Sequence, residues 1–410
     1  MGRRTLPLLA LVCSVSLAVA GCGGGSTGSG NSGGTIKIGT LHPLTGPYAG
    51  DGQQMENGVK LAIDDINAAG GIKALDGRKL ELAGGDTQGK PDVGQSEAQR
   101  LVTEGVTALV GTYQSAVSAN VAPLAERNKV PFVIDISGDD GILSHGYKYA
   151  FRMQPRNTVF GTAGAKYLQE ISKAAGKPLP KVAYLHESTA FGTGVFKAFK
   201  AEAEKAGITV DPEITYDAAS VSDLTTQITQ VKASGAQALV VTGYYKDGVL
   251  AAKAVSTVKP PLDAVYGIAN GAFDQPQFPT DAGPASAGYF DVNYHLNDKS
   301  PEATKFAQAY QAKYGQPPRT GAALAYDSVR VIAAALERSK SVDGSKLRDA
   351  IADTDLTPLT LNDGPITFDD KGENSTALPA LTQVVNAKPT VVYPAEFATA
   401  KVTYPAAPGA

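Results

Sequence analysis

Tryptophan is absent from this chain of 410 residues, and cysteine, methionine and histidine are scarce, with two, three and four copies. Cys13 and Cys22 both lie near the amino terminus, so the body of the chain has no disulfide. Its fold must therefore be stabilised by its core alone. The histidines, at positions 42, 145, 186 and 295, lack the spacing of metal ligands. We therefore expect neither a metal nor a cofactor, and a structural role is favoured for each histidine.

Motifs of catalysis and of phosphate binding are also missing. The chain has no Gly-x-Ser-x-Gly elbow and no Gly-x-x-x-x-Gly-Lys-Ser/Thr loop, and Gly192-Thr-Gly194 lacks the third glycine of a dinucleotide fingerprint. Asp369, Asp370 and Glu373 do not fit a calcium loop, and a hairpin turn explains them better. These absences predict that the protein is not an enzyme.

The amino terminus has the pattern of an exported lipoprotein. Residues 1–21 combine Arg3 and Arg4 with an apolar run, which predicts a signal peptide, and Val19-Ala20-Gly21-Cys22 reads as a lipobox with Cys22 as the lipidated residue. Residues 22–34 form a Gly/Ser tether. The alternative is an uncleaved transmembrane helix, for which the run is short.

Charge of either sign is modest. Charged residues make up 19% of the chain and the formal net charge is −3; loss of residues 1–21 leaves 35 basic and 40 acidic residues, a net charge of −5. A mildly acidic surface argues against nucleic acid and against a polybasic membrane patch.

Residues 35–71 predict half of a βαβ unit. Ile36 and Ile38 alternate with polar or small residues, as in a strand, and the glycines and prolines of residues 42–52 predict a loop. A helix is expected from about Met55 until Gly70-Gly71. Its apolar face would consist of Val59, Ala62, Ile63 and Ile66. Further alternation of strands, loops and helices predicts an α/β fold, and the length predicts two domains.

The same stretch resembles a known family. Pro43-Leu-Thr-Gly46, Ala49-Gly-Asp-Gly52 and the ending Asp-Ile-Asn-Ala-Ala-Gly-Gly71 are similar to the first βα unit of the leucine/isoleucine/valine-binding protein family, the type I periplasmic solute-binding proteins of ABC importers. The resemblance covers roughly residues 35–404. It implies two Rossmann-like lobes with parallel sheets joined by a three-crossing hinge. Lobe one would span residues 35–152 plus 292–361, and lobe two residues 153–291 plus 362–404, with crossings near Arg152, Asp291 and Asn362.

The resemblance also implies a ligand site in the interlobe cleft. Ser115 matches the serine that binds the ligand carboxylate, and Tyr244 and Phe191 match aromatic positions. The remaining residues implied at the site are Tyr113, Gln114, Ser137, Gly138, Asp139, Asp51 and Asn270.

One departure from the family concerns the ligand. Relatives that bind amino acids pair the α-ammonium with a glutamate, whereas this chain has Gly267-Ile-Ala-Asn-Gly271, in which Asn270 is neutral. A buried ammonium without a carboxylate is costly. Either Asp51 or Asp139 supplies the charge, or the ligand is an amide, a urea-like molecule or a small organic acid anchored at Asn270.

The leading hypothesis is therefore an extracytoplasmic solute-binding lipoprotein of an ABC importer, binding a small solute of the branched-chain amino acid and amide class. Its partners would be the permease subunits and, through the lipid, the outer face of the cytoplasmic membrane; a periplasmic location is the alternative, and we expect a monomer. Two other readings stay open: a ligand-sensing lipoprotein without a transport role, and a hydrolase.

Overall fold

The structure is a computed structural model that describes residue 2 and residues 34–408. The predicted signal peptide except Gly2, Cys22 and all of the tether except Gly34 lie outside the described residues. Among the helices of the described part, none is long and apolar enough to span a membrane.

The first part of the chain alternates strands and helices, as predicted. Its elements are β1 (Ile36–His42), α1 (Ala49–Ala68), β2 (Leu80–Asp86), α2 (Pro91–Thr103), β3 (Ala108–Gly111), α3 (Ser115–Asn128), β4 (Phe132–Ile134), α4 (Gly141–Ser144) and β5 (Ala150–Arg152). A 3₁₀ turn, Lys73–Leu75, connects α1 to β2. The strands form one parallel five-stranded sheet in the order β2-β1-β3-β4-β5. Residues on both faces of β1 are buried, so that Gly39, Thr40 and His42 are buried along with Ile36 and Ile38.

The alternation then restarts in a second sheet. Its elements are α5 (Asn157–Ala174), β6 (Lys181–Glu187), α6 (Ala190–Lys205), β7 (Thr209–Tyr216), α7 (Thr225–Ser234), β8 (Ala238–Thr242), α8 (Tyr245–Val258), β9 (Ala264–Ile268), α9 (Phe278–Ala282) and β10 (Phe290–Asn293). A second 3₁₀ turn, Pro284–Ser286, precedes β10.

The chain then returns to the first sheet with three helices. These are α10 (Pro301–Tyr314), α11 (Thr320–Ser339) and α12 (Gly344–Ala352). Helix α11 packs along α1 so closely that a Cβ at Gly58 would lie 2.1 Å from the carbonyl oxygen of Ala322. The chain finishes in the second sheet with β11 (Ala380–Val385) and β12 (Lys388–Tyr393).

The second sheet has the order β12-β11-β10-β9-β8-β6-β7. Its central pairs are parallel, whereas β11 runs antiparallel to both β10 and β12. We call the body around the first sheet lobe one and the body around the second lobe two. The chain passes between them three times, after β5, after β10 and after α12, which confirms the fold expected from the resemblance.

Two contacts at the crossings bear on where each lobe begins and ends. The exact residues of these limits stay a prediction. Asn293 still belongs to the second sheet, and Glu373 forms a bridge to Arg152 at the edge of the first. The predicted hairpin around Asp369 is confirmed, because Phe368 pairs with Asn374 and the Asp369 carboxylate accepts from the backbone N–H groups of the turn.

The start of α1 corrects the expectation for residues 42–52. The helix begins at Ala49 instead of about Met55, and the backbone N–H groups of Asp51 and Gly52 donate to the Tyr48 carbonyl oxygen at 3.1 and 3.0 Å. A Cβ at Gly52 would lie 2.0 Å from the Pro43 carbonyl oxygen, so the glycine permits close packing of the first helical turn on the loop. The glycine-rich pattern predicted a loop where the fold requires a close approach.

Candidate functional site

A cavity of about 360 Å³ lies between the lobes, at the carboxyl ends of the parallel strands. Lobe one contributes the loops after β3 and β4, lobe two contributes the loops after β6, β8 and β9 together with α5, and the first two crossings close the remaining wall. The lining residues are Tyr113, Ser115, Ile136, Gly138, Gln154, Phe160, Phe191, Gly243, Tyr244, Ala269, Gly271 and Tyr294. The site is concave, enclosed and mostly apolar, as small-molecule sites are.

Aromatic rings from both lobes meet across this cleft. The Tyr244 ring of lobe two lies 4.9 Å from the Tyr48 ring and 5.2 Å from the Tyr113 ring of lobe one, measured between centroids. Phe191 packs 5.5 Å from Tyr244. Burial raises the pKa of the Tyr113 and Tyr244 phenols well above the usual value, so both keep their hydroxyl protons at neutral pH. The rings thus form an apolar wall that still carries hydrogen-bond donors.

Ser115 brings a polar group to the cavity from the first residue of α3. Its Oγ accepts a hydrogen bond from the backbone N–H of Asp139 at 3.3 Å, so its own proton is left for another acceptor. The amino-terminal end of a helix is the positive end of its dipole. The position therefore suits a carboxylate or carbonyl oxygen.

A second cavity of about 290 Å³ adjoins the first, and Tyr113, Ile136, Gly271 and Tyr294 line both. Its polar wall contains Asp51, which forms an ion pair with Arg319. Burial raises the pKa of Asp51 above its usual value, although the Arg319 guanidinium opposes this shift.

Arg319 also holds the lobes together at this end of the cleft. Its guanidinium carbon lies 3.5 Å from the centre of the Tyr245 ring, a cation–π contact between lobe one and lobe two. Beside it, the Thr320 backbone N–H donates to the Gln275 side-chain oxygen at 3.1 Å.

The carboxylates of lobe two that lie nearest Tyr244 are engaged with the protein. Glu187 accepts hydrogen bonds from the backbone and the hydroxyl of Thr189 at 2.8 and 2.7 Å. Asp247 Oδ2 accepts from the Tyr244 backbone N–H at 3.0 Å and from the Tyr216 hydroxyl at 3.3 Å, whereas its Oδ1 has no partner in the described part of the chain. Burial raises the pKa of Asp247 to about 7. The residues that line the main cavity include no acid.

The structure brings half of the predicted site residues to the main cavity wall. These are Tyr113, Ser115, Gly138, Phe191 and Tyr244. Asp51 lines the adjoining cavity. Gln114, Ser137, Asp139 and Asn270 line neither cavity.

Two of those four residues are occupied within the protein. The Ser137 hydroxyl donates to the Thr112 carbonyl oxygen at 2.9 Å, and one Asp139 carboxylate oxygen accepts from the Gly141 N–H at 3.3 Å. Asn270 lies fully buried between two lining residues. The role of each predicted residue toward a ligand stays a prediction.

Several lining residues were not predicted from the sequence. Gln154 and Tyr294 stand just after β5 and β10, whose three and four residues are too few to show a clear period. Phe160 lies on the buried face of α5, where the apolar period of a helix gives no sign of its contact with the cavity. Tyr48 lines neither cavity but packs against Tyr244, and it did carry a detectable signal as an aromatic residue inside the first glycine-rich loop.

A buried charged cluster lies under the loops of lobe one. His42 Nδ1 is 3.0 Å from a Glu56 carboxylate oxygen, and His42 Nε2 is 2.8 Å from one of Asp135. Burial by itself lowers the pKa of His42, but the two carboxylates outweigh it and raise the value to about 9. Asp135 directly precedes Ile136, so the cluster ties β1 and α1 to the loop that lines the cavity.

Comparisons with known proteins agree with this architecture. A family model for periplasmic binding proteins matches residues 35–389. Leu/Ile/Val-binding protein homolog 8 of Brucella abortus is 28% identical over 379 residues, which cover 90% of this chain and 93% of the relative.

Solved structures are similar over nearly the whole chain. The branched-chain amino acid transporter substrate-binding protein LivJ of Streptococcus pneumoniae, in complex with isoleucine, has a TM-score of 0.76 at 25% identity, covering 90% of this chain and 99% of its own. A solute-binding protein of an ABC transporter from R. palustris, in complex with benzoate, has a TM-score of 0.76 at 20% identity, covering 92% of this chain and 99% of its own. These proteins are named for binding and not for catalysis, which is consistent with the expectation of a non-enzyme. In the described residues, no three His, Cys, Asp or Glu side chains are grouped so as to hold a metal ion.

Proposed function

The chain belongs to the periplasmic binding protein family, and from that premise we propose that it is the solute receptor of an ABC importer. The observation that carries the proposal is the cavity enclosed by loops of both lobes, with aromatic rings in contact across it. A hinge between the lobes would let the cleft open and close over a solute, and the closed form would dock on the permease.

The ligand we propose is a small solute of the branched-chain amino acid and amide class. Ser115, at the amino terminus of α3, would hold its carboxylate or carbonyl oxygen, and Phe191 and Tyr244 would cover its apolar body. The names of the relatives support this class, and the benzoate complex of a protein with the same fold shows that the fold also accepts acids without an amino group.

A thermal-shift panel tests the binding proposal. Each amino acid is paired with its amide and with its deaminated acid, since ligand at about a hundred times its dissociation constant stabilises the binding state by roughly 2.7 kcal/mol. Ser115→Ala should weaken binding about fivefold or more, the effect of one lost hydrogen bond. Ser96→Ala, an exposed position on α2, is the matched control. A shift with a sugar or a metal ion and none with this panel would contradict the ligand class.

Asp51 and Asp139 decide whether an ammonium is bound. If either carboxylate pairs with an α-ammonium, amino acids should give the largest shifts, and the corresponding Asp→Asn change should abolish them. The Asp51–Arg319 ion pair and the position of Asp139 outside both cavities speak against this arrangement.

We further propose that the protein is exported and anchored to the outer face of the membrane by lipid on Cys22. The support is the sequence of residues 1–34 alone. Cys22→Ala should move the mature protein to the soluble fraction after cell lysis. Retention of the variant in membranes would favour an uncleaved helix instead.

A further inference from the structure

Four carboxamide side chains are buried around the cleft with polar atoms that have no partner among the described residues. They are Gln114 (Nε2 and Oε1), Gln154 (Oε1), Asn157 (Oδ1) and Asn270 (Nδ2). Each is at most 4% exposed. A buried polar group without a partner is costly because it loses its hydrogen bonds to water, so each such group calls for an explanation.

Gln154 belongs directly to the cavity. It lines the main cavity at 3% exposure, in the first crossing between the lobes. A Cβ at Gly138 would lie 3.2 Å from Gln154 Nε2 and 2.5 Å from Asn157 Oδ1, so the two carboxamides stand together against this lining glycine. The glycine leaves room for both side chains on one wall.

Asn270 is the unpartnered carboxamide beside the main cavity in lobe two. It lies between Ala269 and Gly271, which line the cavity, and its Oδ1 accepts from the Ala272 N–H at 3.0 Å while its Nδ2 has no partner in the described part of the chain. Unpartnered neutral amide groups therefore lie on both sides of the cavity.

A positive charge would meet no carboxylate among the residues that line the main cavity. Glu187 and Asp51 are engaged as described above, and Asp247, which keeps one unpartnered carboxylate oxygen, is not part of the lining. An ammonium buried without a carboxylate costs several kcal/mol, whereas a neutral amide N–H needs only an acceptor oxygen.

We infer that the polar group recognised in the main cavity is a neutral carboxamide and not an α-ammonium, with Gln154 as the residue that selects it. This inference rests on the proposed solute-binding function. The solute N–H donates to Gln154 Oε1, and the solute carbonyl oxygen accepts the proton of Ser115 Oγ. A site built to hydrogen-bond such a group discriminates strongly against analogues that lack it, because its own polar groups are then left unpaired.

The test uses the mature chain and two sets of probes that share a carbon skeleton. One set is L-leucine, 4-methylpentanoate and 4-methylpentanamide; the other is L-phenylalanine, 3-phenylpropanoate and 3-phenylpropanamide. Titration calorimetry gives the dissociation constant of each. We expect the amide in at least one set to bind tenfold or more tightly than the amino acid and the acid of that set.

Variants of Gln154 identify the selecting residue. Gln154→Leu should reduce the preference for the amide at least fivefold, and Gln154→Glu, which keeps the shape, should raise affinity for the amino acid. Gln99→Glu on the exposed face of α2 is the matched control and should change neither. A variant that fails to fold is replaced by Gln154→Met.

The outcomes separate the two proposals. If probes bind but an amino acid or an acid binds most tightly, or if the Gln154 variants keep the wild-type ratios, the inference is wrong and the receptor function stands. If no probe of either set binds, the proposed ligand class and the inference are both wrong.

Discussion

The buried cluster of His42, Glu56 and Asp135 should make the protein less stable as the pH rises above neutrality. In the unfolded chain a histidine has a pKa near 6.5, whereas in the fold the two carboxylates raise the pKa of His42 to about 9. The folded state therefore binds more protons between these values, and the stabilisation is complete below pH 6.5 and is lost as the pH approaches 9. The whole shift corresponds to roughly 3 kcal/mol, of which about 2 kcal/mol falls between pH 7 and 9.

Urea denaturation at a series of pH values measures this effect. The free energy of unfolding of the wild type should fall by about 2 kcal/mol between pH 7 and 9. His42→Gln should be less stable at pH 7 by about 3–5 kcal/mol, because two carboxylates stay buried without their cation, and its stability should change little over the same range. His145→Gln, at an exposed position, should keep the wild-type slope. Parallel curves for wild type and His42→Gln would refute the assignment of the slope to His42.

Other expected outcomes follow from single contacts. Gly52→Ala should lower the free energy of unfolding by about 1–3 kcal/mol through overpacking against Pro43. Gly50→Ala, whose Cβ would meet nothing within 4 Å, should be neutral or stabilising, and thermal melting of both variants measures the difference. Saturating ligand should reduce the radius of gyration in solution scattering, and an unchanged profile would count against hinge closure. Arg319→Gln removes the contact with Tyr245 and should speed ligand release in stopped-flow measurements, with exposed Arg127→Gln as control. Asp343→Ala removes the side-chain cap of α12 and should cost about 1 kcal/mol in chemical denaturation.

The architecture was readable from the sequence because buried parallel strands and amphipathic helices have strong periods. Strand β1 and the apolar face of α1 are where the pattern predicts them. Strands β11 and β12 were not predicted, since they form an antiparallel pair and lack the βαβ alternation used to find the others. The early start of α1 was also missed, because the sequence does not distinguish a glycine that permits close packing from a glycine that permits a turn.

The site was only partly readable, for a reason of geometry. Residues that follow a strand and precede a helix in the βαβ alternation, such as Ser115 and Tyr244, can be placed at the sheet edge from sequence alone. Gln154 and Tyr294 reach the same cavity from the crossings, and their position depends on how the two lobes are set against each other. Local pattern carries no information about that arrangement, so residues of this kind emerge only from the three-dimensional fold.

In the proposed receptor, the carboxamides around the cleft would connect solute recognition with closure. In an open cleft, water would hydrate groups such as Gln154 and Asn270, whereas in the closed arrangement they are buried with unpartnered atoms. Closing without a solute is therefore penalised by each such group, while the contacts of Tyr48 and Tyr113 with Tyr244 favour closing. A solute that supplies the missing hydrogen bonds removes the penalty and keeps the aromatic contacts, so it stabilises the closed form by its differential affinity for that form. The polar groups that select the solute would then also keep the empty receptor open.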